Sequence, residues 1–188
     1  MDTNKKIQIE GQSNRYFIKK VNREKKQELL TSIPKHEFLD DFELPSTQMS
    51  IVQMIYLTQE DPLYAKEISC VKQKIRTKMN SYLQQDKLKN RLCFDTQLTC
   101  NDIYELILSS KGKCYYCNIN FVIHYVKYRD VTQWTLERID NDIGHCKSNC
   151  VIACLQCNLQ RRNRNMQKFK TSKSLVIVRK DLEICQPI

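Results

Sequence analysis

The sequence predicts an α+β fold, in which a helical N-terminal region is followed by a small domain stabilised by zinc. Apolar residues recur at intervals of three and four between residues 62 and 92, which is typical of an amphipathic helix. Runs of β-branched and aromatic residues, which favour strands, follow residue 120. Two Cys-x-x-Cys pairs place four thiols at the spacing of a closed tetrahedral zinc site: Cys114, Cys117, Cys154 and Cys157.

Length and charge limit the organisation and the partners of the chain. Its 188 residues hold one domain, or a small domain with a helical extension. We place the boundary between a basic helical region, residues 1–98, and a zinc-stapled domain, residues 99–188, whose core is 114–162. The formal charge of +10 favours a polyanion such as nucleic acid, with ordinary solubility as the alternative. No acidic residue occurs between Asn158 and Lys180.

The N-terminal residues and the lengths of the apolar runs bear on the compartment. No apolar run reaches the length of a membrane span, and the residues after Met1 lack the apolar stretch of a secretory signal. We therefore expect an intracellular, reducing compartment, no secretion and no membrane partner. In that compartment, the ten cysteines are expected to be metal ligands and buried thiols rather than disulfides.

The first part of the helical region is defined by its breakers and caps. Residues 1–20 are polar and basic and are expected to form an arm, whereas residues 21–32 have helical composition. That helix must end before Pro34, because the residue before a proline disfavours helical geometry. Ser46 is the expected N-cap of a further helix that runs through Leu57.

A longer helix is predicted from Pro62 to about Leu92. Its apolar stripe consists of Ile68, Val71, Ile75, Met79 and Leu83. Lysine and arginine side chains fill much of the remaining surface, so that face either lies along a phosphate backbone or is simply solvated. The sequence leaves both interpretations open.

Capping and β-propensity define the remaining elements. Thr99 and Asp102 resemble a capping box, and the helix that they begin ends near Gly112. The sequence then predicts strands over 121–126, 133–138 and 150–152, a helix over 155–164 and a closing strand over 175–178.

A polar cluster lies between the two cysteine pairs. It contains the run Leu136-Glu-Arg-Ile-Asp-Asn141, then Gly144-His145 and Asn149, and Asn158 directly follows the last cysteine. This order resembles the HNH endonucleases, in the branch with paired Cys knuckles, where the variant LDRIDN is common in phage and large-virus proteins. The resemblance covers residues 114–162, about a quarter of the chain.

The resemblance implies a ββα-metal, treble-clef-like fold that hydrolyses DNA phosphodiester bonds and uses its zinc only structurally. It also implies that Glu137 and Asn158 hold a catalytic divalent cation, Mg²⁺ or Mn²⁺, since carboxylate and amide oxygens suit such a cation. Asn149 matches the residue that orients the base or braces the loop, and Asp140 is a second candidate carboxylate. With viral members in the family, we expect the cytoplasm, the nucleus or a viral particle as the location.

Arg138 stands where most members of the family carry a histidine as general base. A guanidinium stays protonated at neutral pH and is a poor base, so the expected role of Arg138 is to clamp the phosphate. His145 is the nearest ordinary base in the sequence. A metal-bound hydroxide without a protein base is the alternative.

Basic residues after Asn158 lie on the element that faces DNA in this family. The expected DNA contacts are Arg161, Arg162, Arg164 and Lys168. Structural roles are the alternatives for the site residues: a salt bridge or helix cap for Glu137 and Asp140, a turn for His145, and a turn or cap for Asn149. Cys146 and Cys150 are alternative zinc ligands.

Three functions are consistent with this pattern. The first, which we favour, is an HNH-type endonuclease in which residues 1–98 add DNA-binding surface, bind a protein partner or form a homodimer. The second is a zinc-stabilised DNA-binding module that does not cleave. The third is a module that uses its zinc knuckles to dock on another protein.

Overall fold

The computed structural model describes residues 38–91, 97–127 and 129–175, and in them it contains helices and one small antiparallel sheet. The α+β class is therefore confirmed. The elements predicted within residues 1–37 and 176–178 lie outside the described residues. The helices and strands are α1 (Pro45–Tyr56), α2 (Ala65–Leu88), α3 (Cys100–Ser109), β1 (Trp134–Arg138), β2 (Cys150–Cys154), α4 (Leu155–Arg161) and α5 (Met166–Ser174).

The helix α1 begins one residue earlier than its predicted cap. Leu44 is the N-cap and Pro45 occupies the first turn, so the prediction of Ser46 as N-cap is wrong. The fixed φ of proline suits the first helical position, where no backbone N–H is needed. A short 3-10 helix, Pro62–Tyr64, precedes α2, and the Asp61 side chain accepts a hydrogen bond from the Leu63 N–H at 2.9 Å.

The helix α3 begins at the predicted capping box. Thr99 accepts a hydrogen bond from the Asp102 N–H, and the Asp102 carboxylate accepts one from the Thr99 N–H at 2.9 Å. The helix ends at Ser109, after which Gly112 adopts φ +70°. A Cβ on Gly112 would lie 3.1 Å from the Met49 side chain, so both the backbone angle and the close packing favour glycine there.

The sheet is a hairpin of β1 and β2, with Glu137 opposite Val151 and Arg138 opposite Cys150. The strand predicted over 121–126 does not form, and Val122 makes only an isolated bridge with Gln133. A buried glutamine explains the difference. The Gln48 Oε1 accepts hydrogen bonds from the backbone N–H groups of Ile123 and His124, at 2.6 and 3.0 Å. The Gln48 side chain thus takes the place of a neighbouring strand.

One cluster of buried side chains joins the helices to the hairpin. Ile51 and Ile75 from the helical region pack with Ile103, Trp134 and Leu136, so residues on both sides of position 98 share a core. The functional division at 98/99 stays a prediction. A second, smaller cluster surrounds the cysteine pairs and includes Cys114, Tyr116, Ala153, Cys154, Cys157 and Phe169.

The helix α2 covers the free edge of β1 with polar side chains. The Lys78 Nζ donates to the Trp134 carbonyl, and the Tyr82 hydroxyl accepts from the Leu136 N–H at 3.1 Å. These bonds satisfy backbone groups of β1 that β2 does not reach. Among the described residues, no helix combines the length and the apolar character needed to cross a bilayer.

Candidate functional site

The two cysteine pairs meet in the folded chain. The Sγ atoms of Cys114, Cys117, Cys154 and Cys157 all lie within 4.8 Å of one another. The Sγ atoms of Cys117 and Cys154 are 3.8 Å apart. A tetrahedral zinc with Zn–S bonds of about 2.3 Å requires thiolates roughly 3.8 Å apart, so this geometry fits a structural zinc.

Local backbone geometry presents these thiols. In the first pair, the Asn118 N–H donates to the Cys114 carbonyl at 3.0 Å, and Asn118 closes the turn with φ +56°. In the second pair, Cys154 is the N-cap of α4 and its sulfur accepts from the Cys157 N–H. The hydrogen bond between Cys114 and Cys154 lowers the pKa of Cys114 and raises the pKa of Cys154, because closely spaced thiols do not all ionise unless a cation lies between them.

The other two candidate zinc ligands lie apart from this cluster. Cys146 approaches the Ser148 hydroxyl at 3.5 Å, and burial raises the pKa of Cys150 to about 12. Within the described part of the chain, the four paired cysteines are the one grouping of three or more His, Cys, Asp or Glu ligands close enough to hold a metal. The alternative in which Cys146 or Cys150 replaces a ligand therefore has no support from the geometry.

Glu137 is buried at the end of β1, where it is 5% exposed. The Arg161 Nη1 donates to the Glu137 carboxylate and also to the Arg138 carbonyl. Burial raises the pKa of Glu137, and the hydrogen bond from Arg161 opposes that rise. The salt bridge considered as an alternative for Glu137 is thus present, and a cation that uses this carboxylate must compete with Arg161.

Arg161 lies in the interior rather than on the surface expected for a DNA contact. It is 2% exposed, its Nη2 donates to the Ile139 carbonyl at 2.8 Å, and its Nε donates to the Arg164 carbonyl at 3.0 Å. The guanidinium therefore fastens the end of β1 to α4. The other predicted DNA contacts, Arg162, Arg164 and Lys168, are exposed.

Asn158 projects from α4 towards the hairpin. Its Nδ2 donates to the Thr135 hydroxyl at 3.2 Å, which leaves the amide oxygen for another partner. Thr135 and Glu137 are two residues apart on one strand and so share a face of the hairpin. The structure thereby brings Asn158 to the face of the hairpin that carries Glu137.

Asn149 braces the loop between the strands. Its Oδ1 accepts from the Asp140 N–H at 2.8 Å, and its Nδ2 donates to the carbonyls of Asp140 and Gly144 at 2.9 and 3.0 Å. This is one of the two roles that the resemblance implies for Asn149. The Asp140 carboxylate is exposed and accepts from the Asp142 N–H at 2.9 Å, which stabilises the turn.

His145 is buried against α2. The Asp86 carboxylate accepts from the His145 backbone N–H at 2.6 Å and lies 3.0 Å from its Nδ1. The Tyr82 ring packs on the imidazole with centroids 4.6 Å apart, and burial lowers the pKa of His145. The neighbouring Gly144 permits this approach, since a Cβ there would lie 2.3 Å from the Arg91 carbonyl oxygen.

Asp86 is a site residue that the sequence analysis missed. It is 1% exposed and lies one helical turn beyond Tyr82 on the side of α2 that faces the hairpin. A signal for Asp86 was present in the sequence, because it continues the spacing of the apolar stripe of α2. A carboxylate on the buried side of a helix requires a partner. Arg138 completes this region, with its Nη1 donating to the Ile143 carbonyl at 3.3 Å.

Comparisons with known proteins identify one relative. No family model and no solved structure matches the chain. A stretch of 72 residues is 32% identical to part of an uncharacterized protein of Acanthamoeba polyphaga mimivirus, and the match covers 38% of this chain and 12% of that protein. The relative agrees with the viral association expected from the LDRIDN variant.

Proposed function

We propose that the protein is a metal-dependent endonuclease of the HNH type that hydrolyses DNA phosphodiester bonds. The observation that carries the proposal is the hairpin of β1 and β2 followed directly by α4, held by four clustered cysteines. Glu137 and Asn158, the two residues that the resemblance implies as metal ligands, approach the same face of that unit. The zinc in this account is structural.

The oxygens of Glu137 and Asn158 suit Mg²⁺, which is commonly held by one or two carboxylates and completed by water and substrate phosphate. When bound, the cation supplies charge neutralisation on the phosphate and the leaving oxygen. Glu137 must first exchange its hydrogen bond with Arg161 for the cation. Because the Arg161 guanidinium also bonds the Arg138 and Ile139 carbonyls, it stays in place when Glu137 turns away.

The other residues orient the reacting groups. Asn149 keeps the loop of residues 139–144 rigid, and Arg138 contributes a permanent positive charge for the phosphate. The Asp86 carboxylate holds the Nδ1 of His145, so the Nε2 is the imidazole nitrogen that accepts a proton. We assign His145 a positioning role for the loop, and the proton acceptor is tested separately below.

The test is nicking of supercoiled plasmid with and without Mg²⁺ or Mn²⁺, on samples in which zinc has been quantified. We expect Glu137→Gln and Asn158→Ala to reduce nicking by roughly 100-fold or more, since each removes stabilisation of transition-state charge. Glu105→Gln is the matched control, because Glu105 is an exposed carboxylate on α3. Wild-type rates in the Glu137 and Asn158 variants would overturn the assignment of the site.

The same assay separates proton acceptance from loop positioning. If His145→Gln keeps the wild-type pH profile of nicking, proton removal does not use its Nε2 and the positioning role is supported. If the variant instead loses the rise in nicking rate near the imidazole pKa, His145 is the general base.

A second candidate is a zinc-stabilised DNA-binding module without cleavage. The buried pair of Glu137 with Arg161 favours it, because a structural ion pair needs no metal. This candidate predicts salt-dependent DNA binding and no metal-dependent nicked product, on plasmid or on branched DNA.

A further inference from the structure

A cleft of about 460 Å³ lies between the end of α3, the first cysteine pair, β2 and α5. The residues that line it are Leu106, Ser109, Ser110, Lys111, Lys113, Cys114, Tyr115, Asn118, Cys150, Val151, Ile152 and Lys170. Three of them are lysines and none is acidic. By contrast, the groove along α2 is lined by Glu60 and Asp61 together with its basic residues.

The cluster of four cysteines holds these lysines in place. Lys111 and Lys113 belong to the turn that leads into Cys114. Lys170 belongs to α5, which docks through Phe169 against the Tyr116 ring at a centroid distance of 4.9 Å. Two elements distant in sequence thus bring positive charge to one cleft because both pack against the same cysteine pair.

The cleft also adjoins the candidate catalytic face. Val151 lines the cleft and is the register partner of Glu137. Side chains of directly opposed residues in an antiparallel pair lie on the same face of the sheet. Val151 therefore connects the cleft to the face of the hairpin that carries Glu137, whose own side chain is buried against Arg161 of α4.

We infer that this cleft binds the phosphodiester backbone of a nucleic-acid strand, with Lys111, Lys113 and Lys170 contacting successive phosphates. The three exposed ammonium groups, with no carboxylate to neutralise them in the lining, create the field that a polyanion requires. The binding itself is independent of cleavage. The statement that the bound strand is the substrate rests on the proposed function.

The basic face of α2 is a weaker place for the strand. Lys72 on this helix is paired with Glu60 at 2.5 Å. Lys74 and Lys78 lie over the Tyr125 ring at 4.8 and 5.1 Å from its centroid, and Lys170 of the cleft lies over the Tyr115 ring at 3.9 Å, so ring contacts do not distinguish the two surfaces. The difference is the carboxylate of Glu60, which neutralises a lysine of α2, whereas the lining of the cleft contains no carboxylate.

The experiment measures binding of labelled single-stranded and duplex DNA by fluorescence anisotropy over a range of salt, with zinc-loaded protein and no added Mg²⁺. We expect Lys113→Gln/Lys170→Gln to weaken binding about tenfold and to lower the slope of log K against log salt by about 2, because each lysine accounts for about one phosphate contact. The matched control is Lys66→Gln/Lys87→Gln, which removes two exposed lysines of α2.

Three outcomes would overturn the inference. They are no DNA binding by the wild type, a larger loss of affinity in the α2 control than in the cleft variant, and competition by polyglutamate equal to that by DNA, which would assign the cleft to acidic proteins.

The variant Glu137→Gln distinguishes this inference from the proposed function. If Glu137→Gln binds DNA like the wild type and neither protein nicks plasmid, the inference of a DNA-binding cleft is supported and the proposed nuclease function is contradicted. If the wild type nicks plasmid and Lys113→Gln/Lys170→Gln binds DNA as tightly as the wild type, only the inference of a DNA-binding cleft is contradicted.

Discussion

Arg161 donates hydrogen bonds to the Glu137 carboxylate and to the Arg138 carbonyl, and so joins α4 to the last two residues of β1. The residue that the sequence places among the DNA contacts instead occupies the interior beneath the candidate metal ligand. Its charge compensates a carboxylate that would otherwise be buried without a partner. The same pair sets the state from which Glu137 must depart to bind a cation.

Removal of Arg161 should therefore be costly. We expect Arg161→Ala to lower the free energy of unfolding by about 3–5 kcal/mol, because it leaves the Glu137 carboxylate and backbone carbonyls buried without donors. Urea unfolding of the zinc-loaded protein measures this loss. Arg162→Ala, at the exposed neighbouring position, should change the unfolding free energy by less than about 1 kcal/mol. Equal effects of the two variants would show that the guanidinium bonds of Arg161 do not stabilise the fold.

The four paired cysteines should bind zinc as one unit. We expect one zinc per chain in the wild type and loss of that zinc in Cys157→Ser, since three thiolates no longer close the tetrahedral shell. Metal analysis and thermal unfolding with and without a chelator measure the content and the linked stability. Cys146→Ser is the control and should retain its zinc. Zinc loss in that control, with Cys157→Ser still loaded, would mean that Cys146 is a ligand.

The pair of Asp86 and His145 should fix the loop of residues 139–145 to α2. Asp86→Ala should lower the free energy of unfolding by about 3 kcal/mol, because the buried His145 loses the partner of both its backbone N–H and its ring. It should also speed amide hydrogen exchange in that loop. Asp142→Ala removes an exposed carboxylate of the same loop and should cost less than about 1 kcal/mol. Unchanged exchange in Asp86→Ala would contradict the anchoring role.

Lys78 should give stability a measurable dependence on pH. Burial lowers the pKa of Lys78 to about 7, so between about pH 7 and 10 the unfolded chain binds more protons at this residue than the folded chain does. Stability from this group therefore rises with pH across that window, by up to roughly 1.4 kcal/mol per unit. Urea unfolding at several pH values should show the rise in the wild type and its absence in Lys78→Met. A rise that survives in Lys78→Met would belong to another group.

The sequence predicted those features that depend only on residues close together in the chain. The capping box of Thr99 with Asp102 and the two Cys-x-x-Cys turns depend on residues three apart, and both were predicted. The helix predicted over 155–164 ends earlier, at Arg161, because Arg162 adopts φ +55°. The helix α5 was not predicted. Its composition is polar, and Phe169 is its one buried residue.

Pairs distant in sequence account for the rest of the site. The Gln48 side chain accepts the backbone N–H groups of residues 123 and 124, which prevents the expected strand. No local sequence pattern predicts a hydrogen-bond partner 75 residues away. The pairs Glu137 with Arg161 and Asp86 with His145 join residues 24 and 59 apart. Burial selects these pairs, because a charge removed from water requires a partner, and burial is a property of the fold as a whole.

The central claim is that Glu137 exchanges Arg161 for a divalent cation. The most direct measurement is a titration of zinc-loaded protein with Mn²⁺, in the presence of a non-hydrolysable DNA duplex, with free Mn²⁺ followed by electron paramagnetic resonance. We expect the wild type and the control Asp142→Asn to bind one Mn²⁺ per chain that Glu137→Gln does not bind. Identical titrations of the wild type and Glu137→Gln, with zinc content unchanged, would contradict the claim.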